Sequence, residues 1–331
     1  MHINPSGYIS RGEANVYVNS AGSLFRALGS AVTGKWTKVN ALKGYTWPCC
    51  IWTGSEFAAV GYRYINDVNE IVSATSSNVK TWSFHSLWTI SGRTPLSIAY
   101  GSDTLVAIVG TGLEGATGDK TSALYYSKDN GASFMLSPET MLEDMVLKSV
   151  TYGNGKFVAV GWRKENKPGY IIWYPVPYTF VSSDGVTWMK IREPGLSYES
   201  AHHGEYEYGT EYNAVGFANG QFYAFSGTYS HVFPNNSGDN KMAVSSDGAS
   251  WSETLMGQFR VSPEKLIKYG SRLILTYLSN YASTGISDHP LNCYLYSDDN
   301  GASWIDAYTG HEEIGAAYGC LAAGGGHLIS S

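Results

Sequence analysis

The sequence is poor in the residues that usually announce a chemistry. It has four cysteines in 331 residues, Cys49, Cys50, Cys293 and Cys320, with no CxxC pair and two of them adjacent. That spacing suits neither a disulfide framework nor a zinc site, so they read as buried thiols of a protein made in a reducing cytoplasm. Charged residues make up only 15%, there is no run of Lys or Arg, and the net charge is -6. Nucleic acid is therefore not expected as a partner, because neutralising phosphates takes clustered positive charge. No apolar run approaches the roughly 18 residues of a membrane span, so membrane insertion is not expected. The start MHINPSGYISRGEANVYV has no basic stretch leading into an apolar one, so no export signal is expected. Neither a cofactor nor a metal is expected.

Glycine and aromatic residues, by contrast, are plentiful: 38 Gly, 25 Tyr, 11 Phe and 10 Trp. They are periodic. SKDNGASF (127–134) returns as SSDGVTW at 182, SSDGASW at 245 and SDDNGASW at 297, with a degenerate SSNVKTW at 76. The closing aromatics Trp82, Phe134, Trp188, Trp251 and Trp304 follow one another at intervals of about 50 to 60 residues, the range in which a repeat decides the fold.

A second motif precedes each turn: IWTGSEFAAVG (51), IAYGSDTLVAIVG (98), VTYGNGKFVAVG (150), VGFANGQFYAFSG (215) and IKYGSRLILTY (267). Each consists of two β-branched or aromatic runs around a Gly/Asn/Ser/Asp turn, a hairpin signature. A repeat therefore reads as hairpin, variable stretch, strand, acidic turn, strand, or four short antiparallel strands. That is one propeller blade. Blades are expected at about 44–87, 94–140, 147–195, 211–257 and 264–310. A sixth half-copy, LAAGGGHLISS, would begin near 314 and be completed by strands from 13–40, which removes an open sheet edge. The expected fold is all-β: a six-bladed β-propeller over 13–331 with four-stranded antiparallel blades, its closing blade shared by the N- and C-terminal strands. Residues 1–12 precede it, either as an arm for docking on an assembly or a sister subunit or as a strand packed on the propeller's own side.

The pattern S-x-D-x-G-x-[ST]-[WF] resembles the Asp-box of sialidases and many other propellers. The resemblance implies that Asp129, Asp184, Asp247 and Asp299, with Phe134, Trp188, Trp251 and Trp304, are structural parts of turns joining third to fourth strands. It also implies that the ligand face is the opposite one. There, variable loops held by a rigid scaffold carry function. Those loops are rich in flat rings and polar partners. The expected binding residues are Trp162, Tyr170, Trp173 and Tyr174 in the third repeat and His202, His203, Tyr206 and Tyr208 in the crossover that follows it. Tyr229, His231 and Phe233 belong to the fourth repeat, and Tyr281 and His289 to the fifth. Rings bearing polar groups suit carbohydrate or protein surfaces.

Sialidases carry an early Arg motif ending in Ile-Pro, two further Arg, a Tyr with a Glu partner and an Asp acid. LFRALG places Arg26 after Phe25 but lacks Ile-Pro, and nothing marks a triad among Arg63, Arg163 and Arg260. No catalytic residue is assigned. Glu205, Glu207, Glu211, Asp239 and Asp288 are the carboxylates another glycosidase mechanism would draw on. The SSDGxTW turns and Gly/Ser/Tyr-rich make-up also resemble the Asp-box propellers of bacteriophage tail fibres and other virion appendages. That likeness implies a non-catalytic protein for recognition of a host surface glycan or protein, or for virion assembly in a bacterial cytoplasm. A sialidase-like hydrolase of surface polysaccharide is the alternative.

Overall fold

The computed structural model describes residues 2–3, 9–10, 16–19, 37–39, 42–110, 122–137, 145–166, 173–192, 211–227, 240–256, 261–269, 271–279, 292–306, 321–324 and 327–330. All regular structure among them is β except a short turn at Leu42. The chain forms two compact units, one of residues 1–111, 124–137 and 309–331, the other of 112–123 and 138–308.

In the first unit, β1 (His2–Ile3) and β2 (Ile9–Ser10) pair only with each other, Ile3 opposite Ile9. Next come β3 (Val16–Asn19) and β4 (Thr37–Val39), then β5 (Thr46–Trp52), β6 (Phe57–Ile65), β7 (Val68–Ser76) and β8 (Ser83–Ile90). The third group is β9 (Thr94–Gly101), β10 (Thr104–Gly110), β11 (Ser122–Ser127) and β12 (Met135–Leu136). Each group of four is an antiparallel sheet in sequence order, the order of a propeller blade. The remaining strands, β25 (Leu321–Gly324) and β26 (His327–Ser330), pair with β3 and β4 in the order β25-β26-β3-β4, with Ile329 opposite Val18. The half-copy at the end of the sequence thus finds its outer strands near the beginning.

The second unit holds three such sheets. They are β13 (Met145–Gly153), β14 (Lys156–Asn166), β15 (Trp173–Ser182) and β16 (Met189–Arg192); β17 (Glu211–Ala218), β18 (Gln221–Gly227), β19 (Lys241–Ser245) and β20 (Ser252–Leu255); and β21 (Val261–Tyr269), β22 (Arg272–Ser279), β23 (Asn292–Ser297) and β24 (Ile305–Asp306). The sheets pack face to face. Val158 and Val160 meet Tyr212, Val215 and Phe222, and Phe225 and Met242 meet Leu273, Leu275 and Trp304. At about 1.5–3 kcal/mol for each large apolar side chain buried, these faces are the main source of stability.

The repeated turns explain their own composition. In each, the serine before the Asp (Ser127, Ser182, Ser245, Ser297) donates its hydroxyl to the Asp Oδ1 at 2.8–3.0 Å and accepts the Gly amide at 2.8–2.9 Å. Oδ1 of Asp184 accepts the amides of Val186 and Thr187, and that of Asp247 those of Ala249 and Ser250. The longer turns insert Asn130 and Asn300 at φ 56 and 60, and there Asp129 and Asp299 bind Ser133 and Ser303 through both amide and hydroxyl. Gly248 shows why the next position is glycine. Its φ is +74, and a Cβ would lie 2.4 Å from Val158 of the neighbouring sheet. The carboxylates are therefore consumed by structure.

One consequence is a pH effect. Hydrogen bonds from the Ser303 hydroxyl and amide and from Ser297 hold the Asp299 carboxyl down at about 2, against an ordinary 3.8. A depressed folded-state pKa stabilises the fold above the unfolded value, and that contribution is lost as pH falls through about 2. Melting temperature is expected to drop between pH 4 and 2, less steeply in Asp299→Asn, as followed by circular dichroism.

The degenerate turn is a working copy. Asn78 Oδ1 accepts the amides of Lys80 and Thr81 at 2.9 Å each, and the Trp82 indole donates to the Val79 carbonyl as Trp251 does to Gly248. Val79 occupies the glycine position at φ 58, a left-handed conformation that a β-branched residue adopts only at a cost. It is compensated by burial, since Val79 belongs to the cluster with Trp47, Phe57 and Ala322.

The cysteines correct one expectation. Cys49 is buried, but Cys50 is disulfide-bonded, and its partner's side chain lies outside the described residues. Adjacent positions on a strand point to opposite faces, so Cys49 and Cys50 belong to different packing layers and need not share a fate. The spacing rule fails because disulfide partners meet in space, not in sequence.

Candidate functional site

The acidic turns and the tips of the first hairpins lie at one end of the sheets. In the second unit they are tied together: the Asn154 side chain donates to the Gly220 and Ser246 carbonyls of the next sheet at 2.9 and 3.1 Å, and Asn219 donates to Asn300 at 2.5 Å. The other end is where each first strand begins, and there the ladders break. The pairing slips by one residue between Leu147 and Ser149, between Tyr212 and Ala214, and between Pro263 and Lys265. The extra residues are Lys148, Asn213 and Glu264. In the first unit the same slip leaves Leu96 extra in β9, and another falls between Thr46 and Cys49 in β5. A β-bulge re-aims a side chain and sharpens the local twist, and bulges concentrate beside functional sites.

Glycine makes room for two of them. A Cβ on Gly161 would lie 2.3 Å from the Val146 carbonyl oxygen, and one on Gly61 would lie 2.6 Å from that of Thr46. The bulged first strand thus rests against the bare backbone of the second.

The three bulges of the second unit present different chemistries. Lys148 is half-buried. Asn213 has a buried Oδ1 with no hydrogen-bond partner among the described residues. Glu264 keeps an exposed surface, yet burial pushes its carboxyl up to about 7. A raised carboxyl pKa stabilises the fold below the unfolded value of about 4.5, and the contribution is lost as pH rises through about 7. Glu264→Gln is expected to gain thermal stability over the native chain at pH 8 and not at pH 4, read from paired melting curves.

Of the binding residues expected from sequence, Trp162 is corrected: it is 2% exposed, in β14 between Val146 and Pro177, and is core. The variable stretch counted from Gly161 onward, but β14 continues to Asn166, so the first ring of that stretch still faces the neighbouring sheet. Trp173 and Tyr174 lie on β15, opposite Asn166 and Glu165. Tyr170, His202, His203, Tyr206, Tyr208, Tyr229, His231, Phe233, Tyr281 and His289 lie outside the described residues.

No family model and no curated protein matches the chain. Among solved structures, a Bombyx mori GH32 β-fructofuranosidase is similar at 13% identity and TM-score 0.44, over 86% of this chain and 55% of that one. This chain therefore spans little more than half of that protein's length. An α-L-arabinofuranosidase from Lactobacillus brevis is similar at 14% identity and TM-score 0.45, over 79% and 92%. An exo-β-1,3-galactanase from Clostridium thermocellum is similar at 13% and 0.44, over 81% and 64%.

Sequence reasoning also missed a polar group on the same sheet, on the face away from Trp162. The Tyr178 hydroxyl donates to Glu165 Oε1 at 2.5 Å, and the Lys190 ammonium sits 4.3 Å from the Tyr178 ring. Desolvation, then repulsion from Arg163, pulls the Lys190 pKa down. In the first unit Arg63 pairs with Glu70 at 2.5 Å and lies over the Tyr45 ring, while Ser86 donates to Glu70. Arg63 is thus committed to a carboxylate of its own sheet, and Arg260 lies outside the described residues. Arg272 forms a two-pronged pair with Asp298 at 2.7 Å beside an acidic turn, at the end away from the bulges.

Proposed function

We propose that the chain is a six-bladed β-propeller, closed through the β26–β3 pairing, that recognises a carbohydrate on the face away from its acidic turns. The observation that carries this reading is the recurrent bulge near the start of the first strands. The same break recurs in five sheets, where it sharpens the twist of each first strand and also re-aims a side chain at the end a ligand face would use. The acidic turns are unavailable, Asp129, Asp184, Asp247 and Asp299 each being held by its own loop and Asp298 by Arg272. The sequence stretches 193–210, 228–239 and 280–291 are rich in rings suited to sugar faces. The proposed setting, a virion appendage meeting a host surface glycan, rests on the resemblance of the turns alone.

A second reading has one specific support. A carboxyl titrating near 7 is poised as a general acid, so Glu264 would serve a glycoside hydrolase. A glycosidase of the usual kind needs a second carboxylate across the scissile bond. The two readings separate in one experiment, incubation of the purified protein with a glycan array and bacterial surface polysaccharides while released reducing sugar is followed. Saturable binding without release supports recognition. Release that stops in Glu264→Gln replaces it with the hydrolase, and absence of both signals removes the carbohydrate reading.

A further inference from the structure

We propose that Cys50 is bonded to Cys320, and that the bond is a one-way clasp on the seam between the last strands of the chain and its first complete sheet. The pair stays as two thiols in a reducing cytoplasm and closes once the protein reaches an oxidising medium. The clasp acts whatever the protein binds. Cys50, in β5, is disulfide-bonded and only 2% exposed. A sulfur so covered by its own chain is out of reach of a second molecule, so its partner is one of the other three cysteines. Cys49 is excluded because neighbouring residues of an extended strand point to opposite faces, and Cys49 packs on its own face with Ile98 and Leu105. Cys293 stands opposite Tyr277 in the second unit, and Tyr277 packs there with Phe225, Met242 and Leu295. The residues clustered with Cys50, among them Leu42, Trp47, Phe57 and Ala322, all belong to the first unit. Cys320 remains.

The repeat puts Cys320 where the bond needs it, although its own placement lies outside the described residues. The first hairpin of a sheet closes at Gly153–Lys156 for β13 and β14, at Ala218–Gln221 for β17 and β18, and at Gly324–His327 for β25 and β26. For β5 and β6 it closes at Thr53, whose amide donates to the Glu56 carbonyl at 2.9 Å. Four residues before Gly153 is Ser149, three before Ala218 is Val215, and these two meet: the Ser149 hydroxyl donates to the Val215 carbonyl at 3.4 Å. The same counts from Gly324 and Thr53 give Cys320 and Cys50. β25 packs on β5 as β13 packs on β17. Ala322, two residues on from Cys320 and hence on the same face of the strand, shares the buried cluster of Cys50. A short side chain that reaches the neighbouring backbone at this position matches the approach a disulfide needs, with Cα atoms about 4.4–6.8 Å apart.

Closing the bond takes two electrons and two protons from the thiols and passes them to a disulfide oxidant such as glutathione disulfide, which leaves as two thiols. A cytoplasm holds such a pair reduced. Once closed, the buried Cys50 sulfur is shielded from reductant. The two cysteines are 270 positions apart, so the bond takes more freedom from the unfolded chain than a short cross-link would, and it holds β25 to β5 covalently.

The test digests the full chain unreduced, with free thiols blocked. Trypsin is used together with a glutamate-specific protease, because no Lys or Arg separates Cys293 from Cys320 but Glu312 and Glu313 do. After glutathione disulfide, the peptide of Cys50 is expected linked to that of Cys320, whereas chain trapped in acid straight from a reducing cytoplasm is expected to show both thiols blocked. Cys320→Ser is expected to melt at least about 5 °C below the oxidised native chain. Its amides at 321–330 are expected to exchange at least tenfold faster, with Cys293→Ser unchanged in both respects. Should Cys320→Ser fail to fold, native chain refolded under reductant carries the comparison. A Cys50 peptide linked to that of Cys293, or left unlinked, overturns the assignment. A bond already complete in the cytoplasm, or equal melting and exchange with and without it, overturns the clasp.

Discussion

Trp162→Ala is expected to lower the free energy of unfolding by about 3–5 kcal/mol, the usual cost of deleting a large buried aromatic. The indole is 2% exposed, and its strand pairs on both sides with residues whose side chains share its face. Partial collapse cannot refill so large a hole when Val146 and Pro177 are fixed by their own ladders. Urea denaturation of the native and substituted chains measures the difference. A stable Trp162→Ala variant that has lost ligand binding would return Trp162 to the surface and contradict the packing of β14.

Gly161→Ala is expected to cost about 1–3 kcal/mol, the range for forcing an atom into a filled site. The obstacle is backbone: the Val146 carbonyl oxygen at 2.3 Å and the Leu147 Cα at 2.9 Å. Neither can swing away as a side-chain tip can, so β13 must shift. Gly155 is the control. Its φ is +73 with nothing within 4 Å of an added Cβ, so Gly155→Ala carries only conformational strain, about 1 kcal/mol. The two also differ in kind: Gly161→Ala displaces the bulge at Lys148 and weakens any ligand held there, and Gly155→Ala does not. Equal stability and equal binding in the two variants would mean that Gly161 does not support the bulge.

Much of the architecture was legible because the repeat writes each turn in full. A Ser, an Asp and a Gly at fixed offsets have one joint use here, and the hairpin before them is marked by its own Asn, Asp and Gly residues. Asn78 was harder, since the pattern asks for Asp, yet the turn needs only an acceptor of that reach and the amide oxygen supplies it. Trp162 was misassigned for a different reason. The end of β14 is set by pairing with β15 across the sheet, and nothing local to GWRKEN announces where that pairing stops. The bulges were invisible for the same reason. An extra residue in VLKSV or EYNAV is extra only relative to a partner strand, so Lys148, Asn213 and Glu264 looked like ordinary polar positions. Most of the aromatic loop residues singled out from sequence lie outside the described residues.

The pairing of β26 with β3 also dictates a timetable. Val18 leaves the ribosome roughly 300 residues before Ile329, its partner. Until then β3 and β4 form at most an isolated pair, which is marginal in water, while sheets such as β5–β8 are complete soon after they are made. Sheet formation can therefore run along the nascent chain, but the last ladder waits for one of the longest loop closures the sequence permits, a step slow by its contact order. Joining residue 331 to residue 13, with β1 and β2 left out, and reopening the chain between two intact sheets would turn that closure into a local hairpin, so a circular permutant of this kind should refold faster than the natural order while keeping the strands of the four-stranded sheets.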